Sequence, residues 1–156
     1  KKGNSDLVNK SNINLVSVLD EVAIQQSANK PTVQIIIEDK DLRVAGEKEK
    51  MVAILGHLVQ NAQEATDDEG LVNIEVVNSE HEVALKIIDT GCGMDEKFIQ
   101  QRLFKPFDTT KGNAGMGIGV YEAREYIMQQ SGRITVESKL GQGTVFVLYL
   151  PKVSLD

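Results

Sequence analysis

Three alternate glycines stand just before an apolar pattern with helical spacing, which begins at Val120. They belong to the segment Gly115-Met116-Gly117-Ile118-Gly119. Bare backbone N–H groups at the positive end of a helix are a simple way to hold phosphate oxygens. Taken alone, such a run indicates a phosphate site only weakly. A P-loop and a dinucleotide-binding fingerprint are excluded, because both need the glycines directly after a strand, whereas a long loop precedes these.

A second group of candidate residues lies on the helix predicted over residues 47–66. At 100° per residue, His57, Asn61 and Glu64 fall within a narrow arc away from the centre of the apolar face, and Asn61 is at its border. An amide there can offer its carbonyl oxygen to a hard cation and its NH₂ group to a phosphate. A histidine one turn earlier could orient a water or accept a proton. The alternative is a polar stripe that only faces solvent.

Two glycine-containing turns carry further polar candidates. The first is Asp89-Thr90-Gly91-Cys92-Gly93-Met94, which follows an apolar strand. A carboxylate at a strand end can accept a hydrogen bond from an exocyclic amine, and glycines beside it let a flat ring approach the backbone. The second is Gly141-Gln142-Gly143-Thr144, which opens the last strand. The alternatives are an ordinary strand-to-helix turn capped by aspartate and a tight hairpin turn.

The segment from Leu103 to Gly115 has no clear period and is long for a connection, which is typical of functional or disordered loops. Its apolar anchors are Phe104, Pro106 and Phe107, and the polar residues that follow are Thr109, Thr110 and Lys111. Lysine is a compact cation that could reach a terminal phosphate. The alternative is a surface loop with a buried foot.

These candidates are positioned by alternating helices and strands. The hydrophobic periodicity predicts helices over 14–28, 47–66, 96–101 and 118–130, and strands over 33–38, 72–78, 83–88, 133–138 and 144–150. The order predicts a mostly antiparallel sheet with helices on one face. Residues 1–12 are interpreted as a linker or the end of a preceding region, 13–152 as one domain and 153–156 as a tail.

The composition indicates an acidic globular domain. A chain of 156 residues with 41% hydrophobic residues can bury one core. A net charge of −6 and a pI near 5.0 argue against a nucleic-acid groove. No apolar run is long enough for a membrane helix, and no signal-peptide pattern opens the chain. One cysteine and two histidines argue against an internal disulfide and a structural zinc site.

The motifs in this order resemble the catalytic ATP-binding domain of sensor histidine kinases, within the wider family of DNA gyrase, Hsp90 and MutL-type ATPases. Asn61-Ala62 is similar to the second half of the N box, and residues 89–93 are similar to the G1 box. The F box is matched by Phe104-Lys105-Pro106-Phe107, the G2 box by residues 115–119 and the last glycine box by residues 141–144. The resemblance covers residues 14–151. It implies an α+β fold of the Bergerat type, a two-layer α/β sandwich with a mixed sheet of about five strands and three main helices on one face.

By this resemblance Asn61 coordinates a Mg²⁺ ion that bridges the ATP phosphates, Asp89 recognises the adenine amino group and Thr144 lies near the adenine. Residues 107–114 would form a lid over the nucleotide. The remaining contacts implied are Ala65, Gly91, Gly93, Met94, Phe107, Thr109, Thr110, Lys111, Gly115, Met116, Gly117, Ile118 and Gly119. The residues expected to act in phosphoryl transfer are His57, Asn61 and Lys111.

His57 departs from the family pattern, which has asparagine or glutamate four residues before the metal-binding asparagine. A histidine there could act as a base or as a hydrogen-bond partner, and a metal-ligand role for it is in doubt. His57 and the segment Thr109-Thr110-Lys111 resemble the corresponding residues of histidine kinases associated with exosortase and exopolysaccharide systems. We therefore predict that the chain belongs to this subfamily.

The resemblance also implies partners. They are the dimerisation domain of the same kinase, which carries the phosphoacceptor histidine on a helical hairpin, and a downstream response regulator. The chain is expected to be a fragment that lacks this hairpin, located in a bacterial cytoplasm without membrane contact of its own, although the inner membrane could anchor its parent. The alternatives are a serine kinase of the anti-sigma-factor type and a nucleotide-sensing module without transfer activity. The F box and the helix before Val33 favour the histidine kinase, and Asn61 and Asp89 favour catalysis.

Overall fold

The computed structural model describes residues 11–105 and 114–153, and for residues 11 and 114–118 it gives the backbone alone. The elements in chain order are β1 (Ser11–Asn14), α1 (Leu15–Gln25), β2 (Val33–Ile36), β3 (Arg43–Gly46), α2 (Lys48–Ala65), β4 (Val72–Asn78), β5 (Glu82–Asp89), α3 (Glu96–Phe98), a π-helix (Ile99–Leu103), α4 (Ala114–Gln129), β6 (Arg133–Lys139) and β7 (Gly143–Pro151).

Five strands form one mixed sheet in the order β2-β4-β5-β7-β6. The β2–β4 pair is parallel, and the other pairs are antiparallel. Alternate side chains of the sheet, such as Ile74, Leu85 and Leu148, are fully buried and join the apolar faces of the helices in a single core. The α+β fold with a mixed five-stranded sheet is therefore confirmed.

The longest helix, α2, has the apolar face that the periodicity predicted. Met51, Leu55, Leu58, Val59 and Ala62 are all buried. Burial of a methionine, leucine or valine side chain contributes about 1.5–3 kcal/mol to folding. After the helix ends at Ala65, the hydroxyl of Thr66 donates to the carbonyl oxygen of Ala62 at 2.7 Å. This bond occupies a carbonyl that the helix end would otherwise leave unpaired.

Some elements differ from the prediction. Strands β1 and β3 were not predicted; each has four residues, and they pair with each other in a small antiparallel sheet. Helix α4 begins at Ala114, not near residue 118. The low helix propensity of glycine suggested the later start, but propensity is a weak prior that tertiary context overrides. In the part of the chain that the structure describes, no helix is long and apolar enough to cross a membrane.

Candidate functional site

A cavity of about 80 Å³ opens between α2, the end of β5 and the start of β7. Its polar lining residues are Asn61, Asp89 and Thr144, which come from three different elements. Its other lining residues are Leu58, Ala62, Ala65, Cys92, Gly93, Met94, Leu103, Val120 and Phe146. The structure therefore brings together six residues that the sequence placed in a binding site, within an otherwise apolar slot.

Asp89 is the carboxylate of this cavity and is only 7% exposed. Its Oδ1 atom accepts hydrogen bonds from the backbone N–H groups of Gly91 at 2.9 Å and of Thr144 at 3.2 Å. Within the described residues no donor bonds to Oδ2, which leaves this oxygen for a ligand. Burial raises the pKa of the Asp89 carboxyl, and the two backbone hydrogen bonds oppose that rise. Asp89 is thus an acceptor in the cavity and does not cap α3, whose N-cap is Asp95.

The loop after Asp89 is held between the end of α2 and the β6–β7 hairpin. The N–H group of Cys92 donates to the carbonyl oxygen of Ala65 at 2.9 Å, and the Cys92 carbonyl accepts from the N–H group of Gly141 at 2.7 Å. A Cβ atom at Gly91 would collide with the Ala65 carbonyl. Gly93 has a φ of +75°, and a Cβ atom there would collide with the backbone of the hairpin. Both glycines therefore allow the close backbone packing that builds this wall of the cavity.

Asn61 lies on α2, where its half-buried side chain lines the cavity. Its Nδ2 atom is buried without a hydrogen-bond partner in the described structure, which is costly unless a ligand supplies one. No group of three or more His, Cys, Asp or Glu side chains able to hold a metal occurs in the described ranges. Mg²⁺ usually binds through one or two protein oxygens together with waters and substrate phosphates. A single amide oxygen beside an unpaired NH₂ group fits an ion of that kind.

His57 is exposed one turn before Asn61. A Cβ atom at Gly119 would lie 3.4 Å from the Cβ, Cγ and Nδ1 atoms of His57. Gly119 of α4 therefore lies beside the imidazole of His57. Glu64, which shares the predicted arc, accepts a hydrogen bond from Gln60 at 3.3 Å and does not line the cavity.

Further predicted site residues come from the segment before α4 and from the first turns of that helix. Phe107, Thr109, Thr110 and Lys111, with most of the predicted lid, lie outside the described residues. Gly115, Met116, Gly117 and Ile118 form the first turns of α4, for which the backbone alone is given.

One polar residue at this site was missed by the sequence interpretation. Ser138 of β6 bonds to the cavity wall through Met94 and Thr144. The predicted hairpin could have identified it, because a tight turn at residues 140–142 sets Ser138 opposite Thr144.

Known proteins resemble this chain in sequence and in fold. The profile of the histidine kinase-, DNA gyrase B- and HSP90-like ATPase family matches residues 46–154. The sensor histidine kinase CitA of Klebsiella pneumoniae is 38% identical over 104 residues, which are 64% of this chain and 19% of that protein. Sporulation kinase A of Bacillus subtilis is 30% identical over 147 residues, 92% of this chain and 24% of that protein. The chain thus spans about a fifth to a quarter of the length of these two relatives.

Among solved structures, the nucleotide-free catalytic domain of the histidine kinase ThkA superimposes with a TM-score of 0.80 and 28% identity, covering 93% of this chain and 99% of that one. A mycobacterial sensor histidine kinase, MprB, has a TM-score of 0.77 with 16% identity, covering 94% of this chain and 99% of the other. At that identity the second likeness supports the fold alone.

Proposed function

Because this chain belongs to the family of histidine kinase-, DNA gyrase B- and HSP90-like ATPases, we propose that it is the ATP-binding catalytic domain of a two-component sensor histidine kinase. It binds Mg-ATP and transfers the γ-phosphoryl group to a histidine on the dimerisation domain of the same kinase, from which a response regulator takes it. The observation that carries the proposal is the buried Asp89 carboxylate at the wall of an apolar slot that also contains Asn61. The Oδ2 atom of Asp89 has no partner among the residues that the structure describes.

The adenine ring occupies the slot between α2 and the loop after β5. Asp89 Oδ2 accepts a hydrogen bond from the exocyclic amine, while Oδ1 is held by Gly91 and Thr144. Apolar side chains such as Leu58, Met94 and Phe146 exclude water from the ring faces. Hydrogen bonds to a charged acceptor in such a site contribute about 1.5–3 kcal/mol.

The triphosphate extends from the slot toward the start of α4. Asn61 holds a Mg²⁺ ion through its side-chain oxygen, and its NH₂ group donates to a phosphate oxygen; the ion neutralises charge on the triphosphate when bound. The glycine-rich start of α4 donates backbone N–H groups to the phosphates. Phe107, Thr109, Thr110 and Lys111 complete the site, as the family resemblance implies, with Lys111 on the terminal phosphate.

In the transfer step a bond forms between a ring nitrogen of the acceptor histidine and the γ-phosphorus, while the bond to the β-phosphate oxygen breaks and ADP leaves. His57 takes the proton that the acceptor ring loses. Its place beside Gly119 puts it at the junction of α2 and α4. We assign the working location to the bacterial cytoplasm, where ATP and a response regulator are available.

A transfer assay tests the proposed function. We expect the chain to bind ATP, to label itself little or not at all with γ-labelled ATP, and to label the dimerisation domain of its kinase when that domain is added. The phosphoryl group should be lost in acid and retained in base. An acid-stable product would favour a serine kinase, and ATP binding without transfer to any acceptor would favour a nucleotide-sensing module.

Replacement of His57 by alanine is expected to slow this transfer by about 100-fold, the lower range for general-base catalysis, with little change in the Kd for ATP. Transfer is measured under single-turnover conditions with saturating ATP. The matched control is His81→Ala, since His81 is exposed in the turn between β4 and β5, far from the cavity. An unchanged transfer rate in the His57 variant would show that His57 is not the base in this reaction.

A further inference from the structure

We propose that Ser138 is a positioning residue that determines base specificity, because it directs the hydroxyl proton of Thr144 away from the nucleobase. The wall formed by Asp89 and Thr144 then only accepts hydrogen bonds, which suits an amino group and rejects a carbonyl oxygen. This inference rests on the proposed function, in which the cavity holds adenine.

Ser138 is a half-buried residue of β6, next to the cavity wall. In the hairpin register it stands directly opposite Thr144, and side chains of such pairs are close enough to interact. Thr144 is only 6% exposed and lines the cavity. Its backbone N–H group also donates to Asp89 Oδ1 at 3.2 Å. Ser138 is therefore one hydrogen bond from the Thr144 hydroxyl, and Thr144 in turn joins it to Asp89.

The Ser138 hydroxyl makes three contacts that determine where its proton lies. The backbone N–H group of Met94 donates to Ser138 Oγ at 2.7 Å. Ser138 Oγ donates to the carbonyl oxygen of Gly143 at 3.0 Å, and it lies 2.7 Å from Thr144 Oγ1. A serine hydroxyl has one proton and two lone pairs. Because Gly143 can only accept, all three contacts are hydrogen bonds only if Thr144 donates to Ser138.

This arrangement leaves Thr144 Oγ1 with lone pairs and no proton for a ligand. Asp89 Oδ2 is an acceptor as well, so the wall presents two acceptors and no hydroxyl donor to the base. A 6-aminopurine carries donor hydrogens at position 6, whereas a 6-ketopurine carries an acceptor oxygen at that position, which can bond to neither acceptor of the wall. Loss of the Ser138 hydroxyl would free the Thr144 proton to turn toward the cavity and to bond a keto oxygen.

A competing explanation is that Ser138 only supports the loop, through its bond from Met94. The two roles differ in a measurable way. A loosened loop lowers affinity for every purine nucleotide to the same extent, while a redirected proton changes the ratio between amino and keto purines. The Kd ratio of inosine triphosphate to ATP measures the effect of the redirected proton alone, because the two ligands share sugar, phosphates and ring size.

We expect the wild-type chain to bind ATP more tightly than inosine triphosphate, and Ser138→Ala to reduce that Kd ratio by about five- to tenfold, the value of one hydrogen bond. Ser138→Thr, which keeps the hydroxyl on a strand position, should preserve the wild-type ratio. The matched control is Thr135→Ala, which removes a hydroxyl from the same strand at an exposed position paired with Val147. All Kd values are measured by calorimetry with Mg²⁺.

An equal loss of affinity for both nucleotides in Ser138→Ala would overturn the inference and leave a structural role. A wild-type chain that binds ATP without preference over inosine triphosphate would overturn it as well. If the wild-type chain binds neither nucleotide, the proposed function itself fails. Should Ser138→Ala not fold by circular dichroism, Ser138→Cys, with a weaker donor and acceptor of similar size, takes its place with the same expected reduction.

Discussion

Replacement of Asn61 by alanine is expected to lower the affinity for ATP by about 100-fold or more in the presence of Mg²⁺, since even residues that only support a metal ligand commonly cost 10- to 100-fold. The variant loses the oxygen proposed as the metal ligand and also the buried Nδ2 atom, which has no partner in the described structure. Calorimetry with Mg²⁺ and with EDTA measures ATP binding in the presence and in the absence of the metal. The loss should be large with Mg²⁺ and small with EDTA.

Two variants make this prediction specific. Gln60→Ala removes an exposed amide from the adjacent position of α2 and should leave the Kd unchanged. Asn61→Asp keeps an oxygen of similar geometry and should recover part of the Mg²⁺-dependent affinity. If Asn61→Ala binds ATP with Mg²⁺ as the wild-type chain does, the assignment of the metal ligand is wrong.

Replacement of Asp89 by asparagine is expected to weaken ATP binding by about 10- to 100-fold, the equivalent of one hydrogen bond to a charged group. The two backbone donors on Oδ1 come from Gly91 and Thr144. They would retain the amide oxygen of the asparagine, so its NH₂ group must face the cavity. A donor would then meet the adenine amine, and the preference should move toward GTP and inosine triphosphate. An unchanged preference for ATP over GTP would refute this role.

The same variant is expected to be more stable than the wild-type chain near neutral pH. Burial raises the pKa of Asp89 in the folded chain. Such a group stabilises the fold below its unfolded pKa, and this contribution is lost as the pH rises through the folded value. The ionised carboxylate therefore opposes folding at neutral pH, and asparagine removes that cost. Thermal unfolding across pH should show a higher Tm for the variant near neutrality and a difference that shrinks in acid.

The opposite signs of these two effects separate a binding role from a structural one. A carboxylate retained only for stability would make the asparagine variant less stable at neutral pH, whatever its affinity. Asp68→Asn is the matched control, since Asp68 is exposed in the turn after α2. It should change neither the Tm profile nor the nucleotide preference.

Periodicity was sufficient for several elements near the site, although it predicted the start of α4 too late in the chain. The 3.6-residue pattern of α2 identified its buried face, and the alternation of β4 identified its bounds, Val72–Asn78. Strands β1 and β3 could not be identified in this way. Each has four residues, too few for a pattern, and each is a strand because the other pairs with it from about 30 residues away.

For the polar residues of the cavity, too, the sequence predicted one part and only the fold showed the other. Asn61, Asp89 and Thr144 were predicted because their types, spacing and order resemble a known set of motifs. Their arrangement as one wall depends on the register that pairs Asp89 with Thr144 across β5 and β7. The contact between His57 and Gly119 likewise depends on how α2 and α4 pack.

The sequence by itself determined the helices and strands with strong periodicity, the family and the main candidate residues, because these depend on local pattern and on motif order. Only the tertiary structure decided how these groups are partnered among the described residues. There Asp89 has one oxygen bonded and one unpaired, Asn61 has a buried NH₂ group without a partner, and Ser138 bonds to Thr144. The physical reason is that these polar groups find their hydrogen-bond partners in residues far away in the chain. Their partners exist only once the sheet register and the helix packing are fixed.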